Sequence, residues 1–186
     1  MSKIGKKPVE IPASVKVELD EKEIKFSGPV GQMNLLIPKE LKIEINGDLV
    51  HILADQKIKE AKMMQGTFRQ LIFNALKGVS EGWEKGLEVK GTGFKVNKEG
   101  EILVLTLGFS HPVKISPPEG IKFEVKENLI FVRGANKALV GLVADQIRKI
   151  YPPDAYKGKG IRYQGEKIIL KPGKSAKTGS SVGGGK

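Results

Sequence analysis

Two stretches of the sequence decide the fold: LKIEINGDLVHI at residues 41–52 and IKFEVKENLIFV at residues 121–132. They align without a gap at an offset of 80 residues, with three identical positions and six pairs that are apolar in both copies. Each stretch alternates apolar and polar residues on both sides of a polar turn, which is the pattern of a half-buried β-hairpin. Asn46-Gly47 is a strong turn signal, and Lys126-Glu127-Asn128 is a weaker one. The sequence therefore predicts the same hairpin twice.

A helix is predicted after each hairpin. The first shows helical spacing of apolar residues and has Gly78 where a C-terminal cap is expected. The second is predicted to begin at the cap Asn136 and to end before Pro152-Pro153. The predicted apolar stripes are Met64, Phe68, Leu71, Ile72 and Ala75 in the first helix, and Leu139, Val143, Ile147 and Ile150 in the second.

The repeated order of elements predicts the α+β class, with two similar domains from an internal duplication. Two amphipathic hairpins can resemble each other by chance, but further turns precede both, at residues 20–22 and 97–100. Each domain is expected to be an antiparallel sheet packed against one main helix. The predicted division is 1–82, 83–174 and a flexible tail at 175–186, and Trp83 is expected to pack between the domains.

Positive charge is concentrated at the two ends of the chain. The formal net charge is +11, of which residues 1–8 contribute +3 and residues 155–186 contribute +7, so the body between them is nearly neutral at +1. Charge of either sign keeps a protein soluble, but solubility does not require one sign to gather at the ends. The segregation therefore favours binding to a polyanion. The candidate contacts in the end segments include Lys3, Lys6, Lys7, Lys171, Lys174 and Lys177.

The strongest binding signal is the segment Tyr156-Lys157-Gly158-Lys159-Gly160-Ile161-Arg162-Tyr163. Its lysines can neutralise phosphates, and its glycines can bring backbone amides close to them. Its tyrosines can stack on unpaired bases. The alternative is a basic loop whose tyrosines pack on the preceding helix. Neither the charge nor the stacking distinguishes RNA from DNA.

A second glycine-rich segment, Lys90-Gly91-Thr92-Gly93-Phe94-Lys95, is predicted between strands of the second half. Glycines spaced in this way fit a loop that approaches a ligand. They fit a bulge that bends a strand equally well.

The chain has two histidines, the side chains that usually titrate near neutrality, and neither is placed as a catalytic residue would be. His51 matches Phe131 of the other copy, which favours a structural role. His111 follows Ser110 in a predicted turn, but adjacency in sequence does not place a base on a nucleophile. The chain has no cysteine and no phosphate-loop motif. We therefore expect no metal, cofactor or small-molecule substrate, and the lack of a long apolar run predicts no transmembrane helix.

Several short motifs occur in a characteristic order along the chain. They are residues 2–8 with Ile11-Pro12, residues 28–31, 91–94 and 107–113, Val140-Gly141 with Ile147-Arg148, and the segment 156–163. In this order they resemble the bacterial-type large-subunit ribosomal protein six family, from the N-terminus to about Lys174. The segment 156–163 is the most specific of these motifs.

The resemblance implies two similar α+β domains, no catalysis, and a cytoplasmic, ribosome-bound protein. It implies binding to large-subunit ribosomal RNA near the sarcin–ricin loop, beside neighbouring ribosomal proteins at the stalk base and close to where translation factors dock. Lys157, Lys159, Arg162 and Tyr163 would be RNA contacts, and Gly91 to Lys95 and Ser110-His111 would be loops facing RNA. The alternative is a scaffold that docks on acidic proteins or anionic membranes. A basic segment broken by glycines does not favour membrane adsorption.

Overall fold

The computed structural model describes Gly5, residues 7–54 and residues 58–171, without the side chain of Lys59. The predictions for Lys3, Lys6, Lys174, Lys177 and the tail 175–186 lie outside these residues. The first half contains β1 (Val9–Glu10), β2 (Lys16–Leu19), β3 (Glu23–Ser27), β4 (Gln32–Leu36), β5 (Leu41–Asn46), β6 (Leu49–Ala54) and α1 (Lys59–Ser80). The second half contains β7 (Trp83–Lys90), β8 (Lys95–Glu99), β9 (Ile102–Thr106), β10 (Val113–Ile115), β11 (Ile121–Lys126), β12 (Leu129–Gly134), α2 (Lys137–Ile150) and β13 (Gly160–Tyr163).

Both predicted hairpins are confirmed. β5 and β6 pair with Ile43 opposite Ile52, and β11 and β12 pair in the same register with Phe123 opposite Val132. Their two-residue turns begin at Gly47 and Glu127, with φ of 57° and 54°. Left-handed backbone is easy for glycine but costs a residue such as Glu127 about 1 kcal/mol. Equivalent positions of the two copies therefore have the same backbone conformation despite different residues.

The sheets of the two halves correspond strand by strand except for β13, which the second half has in addition. The described strands are ordered β1-β6-β5 and β2-β3-β4 in the first half, and β11-β12-β7-β13 and β10-β9-β8 in the second. β1 and β7 are equivalent, because each pairs with the second strand of a duplicated hairpin. The turn predicted at residues 97–100 lies later than expected, since β8 continues to Glu99. With a helix packed on each half, this arrangement confirms the predicted α+β class.

Two prolines flank the short strand β1, Pro8 directly before it and Pro12 two residues after it. The N–H of Ile11 donates to the carbonyl of Asp48 on the hairpin side, with 2.8 Å between N and O. In an antiparallel strand, the backbone groups of alternate residues point to opposite sides. Those of residues 8, 10 and 12 therefore face away from the hairpin. On β7 the equivalent edge is paired with β13. Because proline has no N–H, the β1 edge has few groups with which to bind a further strand.

The buried face of α1 differs from the predicted stripe. Phe68, Ile72 and Ala75 are buried as predicted, but Met64 and Leu71 are 37% and 43% exposed. Those two assignments are wrong, because helical spacing alone allows neighbouring stripes and the position of the sheet selects one. The described buried face is completed by Ala61, Leu76 and Val79.

Gly78 is not the C-terminal cap of α1. The helix continues to Ser80, and Gly82, with φ of 83°, follows its end. A Cβ atom on Gly78 would lie 2.0 Å from the carbonyl oxygen of Ala135, which is closer than real side chains allow. Gly78 therefore lets α1 touch the backbone just before α2.

The predicted cap of α2 is confirmed. The side-chain oxygen of Asn136 accepts hydrogen bonds from the N–H groups of Ala138 and Leu139, at 3.0 and 3.3 Å. These bonds satisfy two of the amides that a helix N-terminus leaves unpaired. Val143 and Ile147 of the predicted stripe are buried, and Leu139 and Ile150 pack partly buried at its flanks.

Trp83 lies where the two halves meet. Its indole N–H donates to the carbonyl of Asn74 on α1, at 2.9 Å. The ammonium groups of Lys77 and Lys137 lie 5.2 and 4.2 Å from the ring centroid. Cations over an indole face are attracted to its π electrons. The packing role predicted for Trp83 is confirmed by these contacts, whereas the division into independent domains stays a prediction.

Candidate nucleic-acid interface

The segment 156–163 folds into a turn followed by β13. The N–H of Lys157 donates to the carboxylate of Asp154, and the N–H of Gly158 donates to the Asp154 carbonyl, at 2.8 and 2.9 Å. The hydrogen bond from Lys157, with weaker ones beside it, holds the pKa of Asp154 below its ordinary value. The N–H of Gly158 closes this turn and is not free to donate to a phosphate, and the predicted RNA contact at Gly158 stays a prediction.

Gly160 serves the packing of the segment. It is buried and has a φ of 146°. A Cβ atom there would lie 2.6 Å from the Cα of Pro153. Glycine lets β13 run close against the proline pair that ends α2. The predicted RNA contact at Gly160 stays a prediction, and within the protein the residue permits this close approach.

The tyrosines of the segment have different surroundings. Tyr163 is half-buried against the core of the second half, with the guanidinium carbon of Arg148 and the ammonium of Lys85 at 5.2 and 4.7 Å from its ring centroid. This contact fits the alternative in which a tyrosine packs on the preceding helix. Tyr156 is 60% exposed, so its ring is accessible to a base.

Two arginines near β13 are engaged in ion pairs. Arg162 holds Glu88 of β7 through its Nε and Nη2 atoms, at 2.8 and 2.7 Å from one carboxylate oxygen. Arg148 of α2 pairs with Glu166 at 2.6 Å, and the second oxygen of Glu166 accepts the N–H of Tyr163 at 2.9 Å. The latter bond and then Arg148 lower the pKa of Glu166. These pairs fasten the C-terminal end of β13 to β7 and α2.

The two predicted loops meet beside this segment. Residues 91–94 join β7 to β8, which begins at Lys95, and residues 108–112 lie between β9 and β10. Phe94 and Phe109 lie 5.1 and 5.7 Å from Tyr151, between ring centroids. Aromatic pairs at such distances are favourable in edge-on or tilted geometry. We call residues 91–95, 108–112 and 156–163 together the loop end. Sequence reasoning missed the cluster because its rings come from distant positions.

The loop end exposes about half of its residues that were predicted to bind. Gly93, Lys95, Ser110, His111 and Lys157 are exposed, as is Lys171, the last described residue. The ammonium of Lys159 donates to the hydroxyl of Thr92 at 3.1 Å and ties the segment to the first loop. Lys7 is exposed in the first half, where its carbonyl accepts a hydrogen bond from Arg69 at 3.4 Å. The structure therefore gathers the second-half candidates and leaves Lys7 outside the loop end.

Gly91 shapes the first of these loops. A Cβ atom on it would lie 2.5 Å from the ring of Phe94. The structure shows a loop at residues 91–94, so the alternative of a strand bulge is not what forms. Glycine here lets Phe94 fold back toward Tyr151.

The comparisons with known proteins cover both halves. The family model described as ribosomal protein L6 matches residues 11–82 and 90–164. Large ribosomal subunit protein uL6 of Hydrogenobaculum sp. is 47% identical over 179 residues, covering 96% of this chain and 99% of that protein. Its counterpart in Thermomicrobium roseum is 45% identical, with 96% and 98% covered. The chain belongs to the ribosomal protein L6 family. A further member, uL6 of Alkaliphilus oremlandii, is 43% identical over 95% of this chain and 100% of its own length.

The two ranges of the L6 family match follow the internal duplication. The first runs from Ile11 just past the end of α1, and the second runs from Lys90 just past β13. All three segments of the loop end lie inside the second range. The resemblance seen in the motifs is therefore confirmed as family membership.

Other kinds of site find no support in the described part of this L6 family member. No group of three or more histidine or acidic side chains there is placed to hold a metal ion. None of its described helices is long and apolar enough to cross a membrane.

Proposed function

We propose that the protein is a structural constituent of the large ribosomal subunit and binds large-subunit ribosomal RNA through its loop end. The observation that supports RNA binding is the convergence of three separate segments, two of which carry an exposed lysine, Lys95 and Lys157. Among the described residues, Lys95, Lys157 and Lys171 have no carboxylate within ion-pair distance. Unpaired ammonium groups on a preformed surface can release counterions from a phosphate backbone.

Different residues have different tasks in this proposal. Lys95, Lys157 and Lys159 neutralise phosphates, and Tyr156 stacks on an unpaired base. Ser110 and His111 contribute polar contacts from the second loop. Arg162 and Tyr163 act mainly from within, because their ion pair and packing hold β13 in place. The basic residues on either side of the described range add charge to the same RNA.

The place of binding is proposed from the family. It lies near the sarcin–ricin loop and the stalk base, beside neighbouring ribosomal proteins and close to translation factors, in the cytoplasm. Membership in a family of ribosomal proteins supports a structural role rather than an enzymatic one.

The test is the salt dependence of RNA binding. Replacing Lys157 and Lys159 by Ala should reduce the slope of log affinity against log salt by about 1.4 to 1.8, since each phosphate contact contributes about 0.7 to 0.9. A control with Lys98→Ala and Lys122→Ala removes two exposed lysines of the same half that lie outside the loop end. Filter binding to purified large-subunit ribosomal RNA measures both variants. Equal slopes for the two double variants would contradict the proposal.

Cosedimentation separates this function from docking on membranes. The intact protein should sediment with purified large subunits that lack it, and not with anionic phospholipid vesicles at the same ionic strength. Preference for the vesicles would favour the scaffold alternative.

A further inference from the structure

A concavity of about 440 Å³ lies between the end of β7, the first loop and the segment 156–163. Lys90, Lys157 and Lys159 line it, together with Thr92 and Asn128. Lys90 begins the second glycine-rich segment of the sequence but was not among the predicted RNA contacts, and Asn128 was predicted only as part of a hairpin turn. The fold brings them to the basic segment through the pairing of β13 with β7, in which Gly160 stands opposite Lys90.

The lining of this concavity is strongly positive. Its single acidic residue is Glu88, and the guanidinium of Arg162 already holds that carboxylate at 2.7 and 2.8 Å. Within the described residues, none of the three lysines has a carboxylate within 4.0 Å. Three ammonium groups that face one space repel one another, and an anion between them relieves that repulsion.

A neutral donor completes the lining. The hydroxyl of Thr92 accepts a hydrogen bond from the ammonium of Lys159 at 3.1 Å. A hydroxyl has one proton to donate and two lone pairs, so Thr92 can accept from Lys159 and still donate to an oxygen of a bound anion. Asn128 adds an amide that can also donate.

We propose that this concavity is a phosphate-binding subsite for the RNA sugar–phosphate backbone, with Lys90, Lys157 and Lys159 as its cations and Thr92 and Asn128 as its neutral donors. The inference rests on the proposed function, which supplies RNA as the source of the phosphate. Lysine suits this task as a point charge with rotating donors. No aromatic ring from the described part of the chain lines the concavity, so it binds the RNA backbone, while the exposed Tyr156 beside it stacks on bases.

Lys90→Ala is the decisive variant, with Lys98→Ala as its matched control. Both lysines are exposed residues of the second half, but only Lys90 lines the concavity. Lys90→Ala should reduce the salt slope for large-subunit ribosomal RNA by about 0.7 to 0.9. Because counterion release vanishes toward 1 M salt, that slope corresponds to about five- to eightfold weaker binding at 0.1 M. Thr92→Val should weaken binding without changing the slope, since it removes a donor but no charge.

Competition identifies the anion. Inorganic phosphate, exchanged for chloride at constant ionic strength, should displace RNA from the wild-type protein more readily than from Lys90→Ala. If wild-type protein binds RNA but Lys90→Ala behaves as Lys98→Ala does, the subsite is refuted and the proposed function stands. If wild-type protein does not bind RNA, the proposed function itself fails. If polyglutamate competes as well as RNA does, the concavity serves acidic peptides and this assignment is wrong.

Discussion

Replacing Gly78 by Ala should destabilise the protein, although alanine is the better helix former. In the interior of an exposed helix, Gly→Ala stabilises by about 1 kcal/mol. At Gly78 the added Cβ would lie 2.0 Å from the Ala135 carbonyl oxygen and 3.0 Å from Cδ1 of Trp83. Real Cβ contacts begin near 3.0 Å, so the backbone of one half has to move by about 1 Å. Overpacking of this kind costs about 3 kcal/mol at the upper end of its usual range, which leaves a net loss of about 2 kcal/mol.

Gly66→Ala in the same helix is the matched control. No atom of the described residues lies within 4 Å of a Cβ atom at Gly66, so this variant should gain about 1 kcal/mol. For a chain of this length, the melting temperature should fall by about 4 to 8 °C for Gly78→Ala and rise by about 2 to 4 °C for Gly66→Ala. Thermal unfolding followed by circular dichroism measures both. Trp83 is the only tryptophan of the chain, so its fluorescence reports whether the junction has moved. A Gly78→Ala protein as stable as Gly66→Ala would refute the reasoning.

Two further predictions concern the loop end. Tyr151→Ala removes both aromatic pairs, which should lower the free energy of unfolding by about 0.5 to 1.5 kcal/mol for each pair and weaken RNA binding. Tyr151→Phe keeps the ring and should keep both the stability and the binding of the wild type. Urea unfolding measures the stability, and filter binding measures the affinity for RNA. The pKa of Glu166 is lowered in the folded protein, so its stabilising effect is complete above the ordinary value of 4.5 and is lost as pH falls through the folded value. Urea unfolding should therefore show Glu166→Gln as less stable than wild type at pH 7, with the difference shrinking below pH 4.5; a difference independent of pH would contradict this.

Local patterns of the sequence predicted the elements well. The alternation in residues 41–52 and 121–132 identified both hairpins because each pattern depends on neighbours within one stretch. The cap at Asn136 was predictable for the same reason. The stripe of α1 failed at Met64 and Leu71, since the sequence shows that a helix is amphipathic but not which flank meets the sheet.

The candidate site was only partly predictable, because its geometry depends on contacts between distant residues. The basic segment was recognised, but not its pairing with β7 or the ion pair between Glu88 and Arg162, which are 74 positions apart. No local signal joins Phe94 and Tyr151 or reveals that Lys90 faces the same space as Lys157. Tyr151 and Lys157 lie in the loop between α2 and β13. Their contacts with residues 90–94 depend on how this loop folds, which local sequence patterns do not determine.

The prolines that flank β1 have a consequence for the protein before it meets its partners. An unpaired strand with regular N–H groups invites self-association, and a subunit made in excess would be exposed to it. In the second copy, β13 pairs with the equivalent edge of β7. In the first copy, Pro8 and Pro12 have no N–H, so the edge of β1 has few hydrogen-bond donors. Replacing both prolines would add two N–H donors beside this edge, so Pro8 and Pro12 lower its capacity to pair with a strand of another chain.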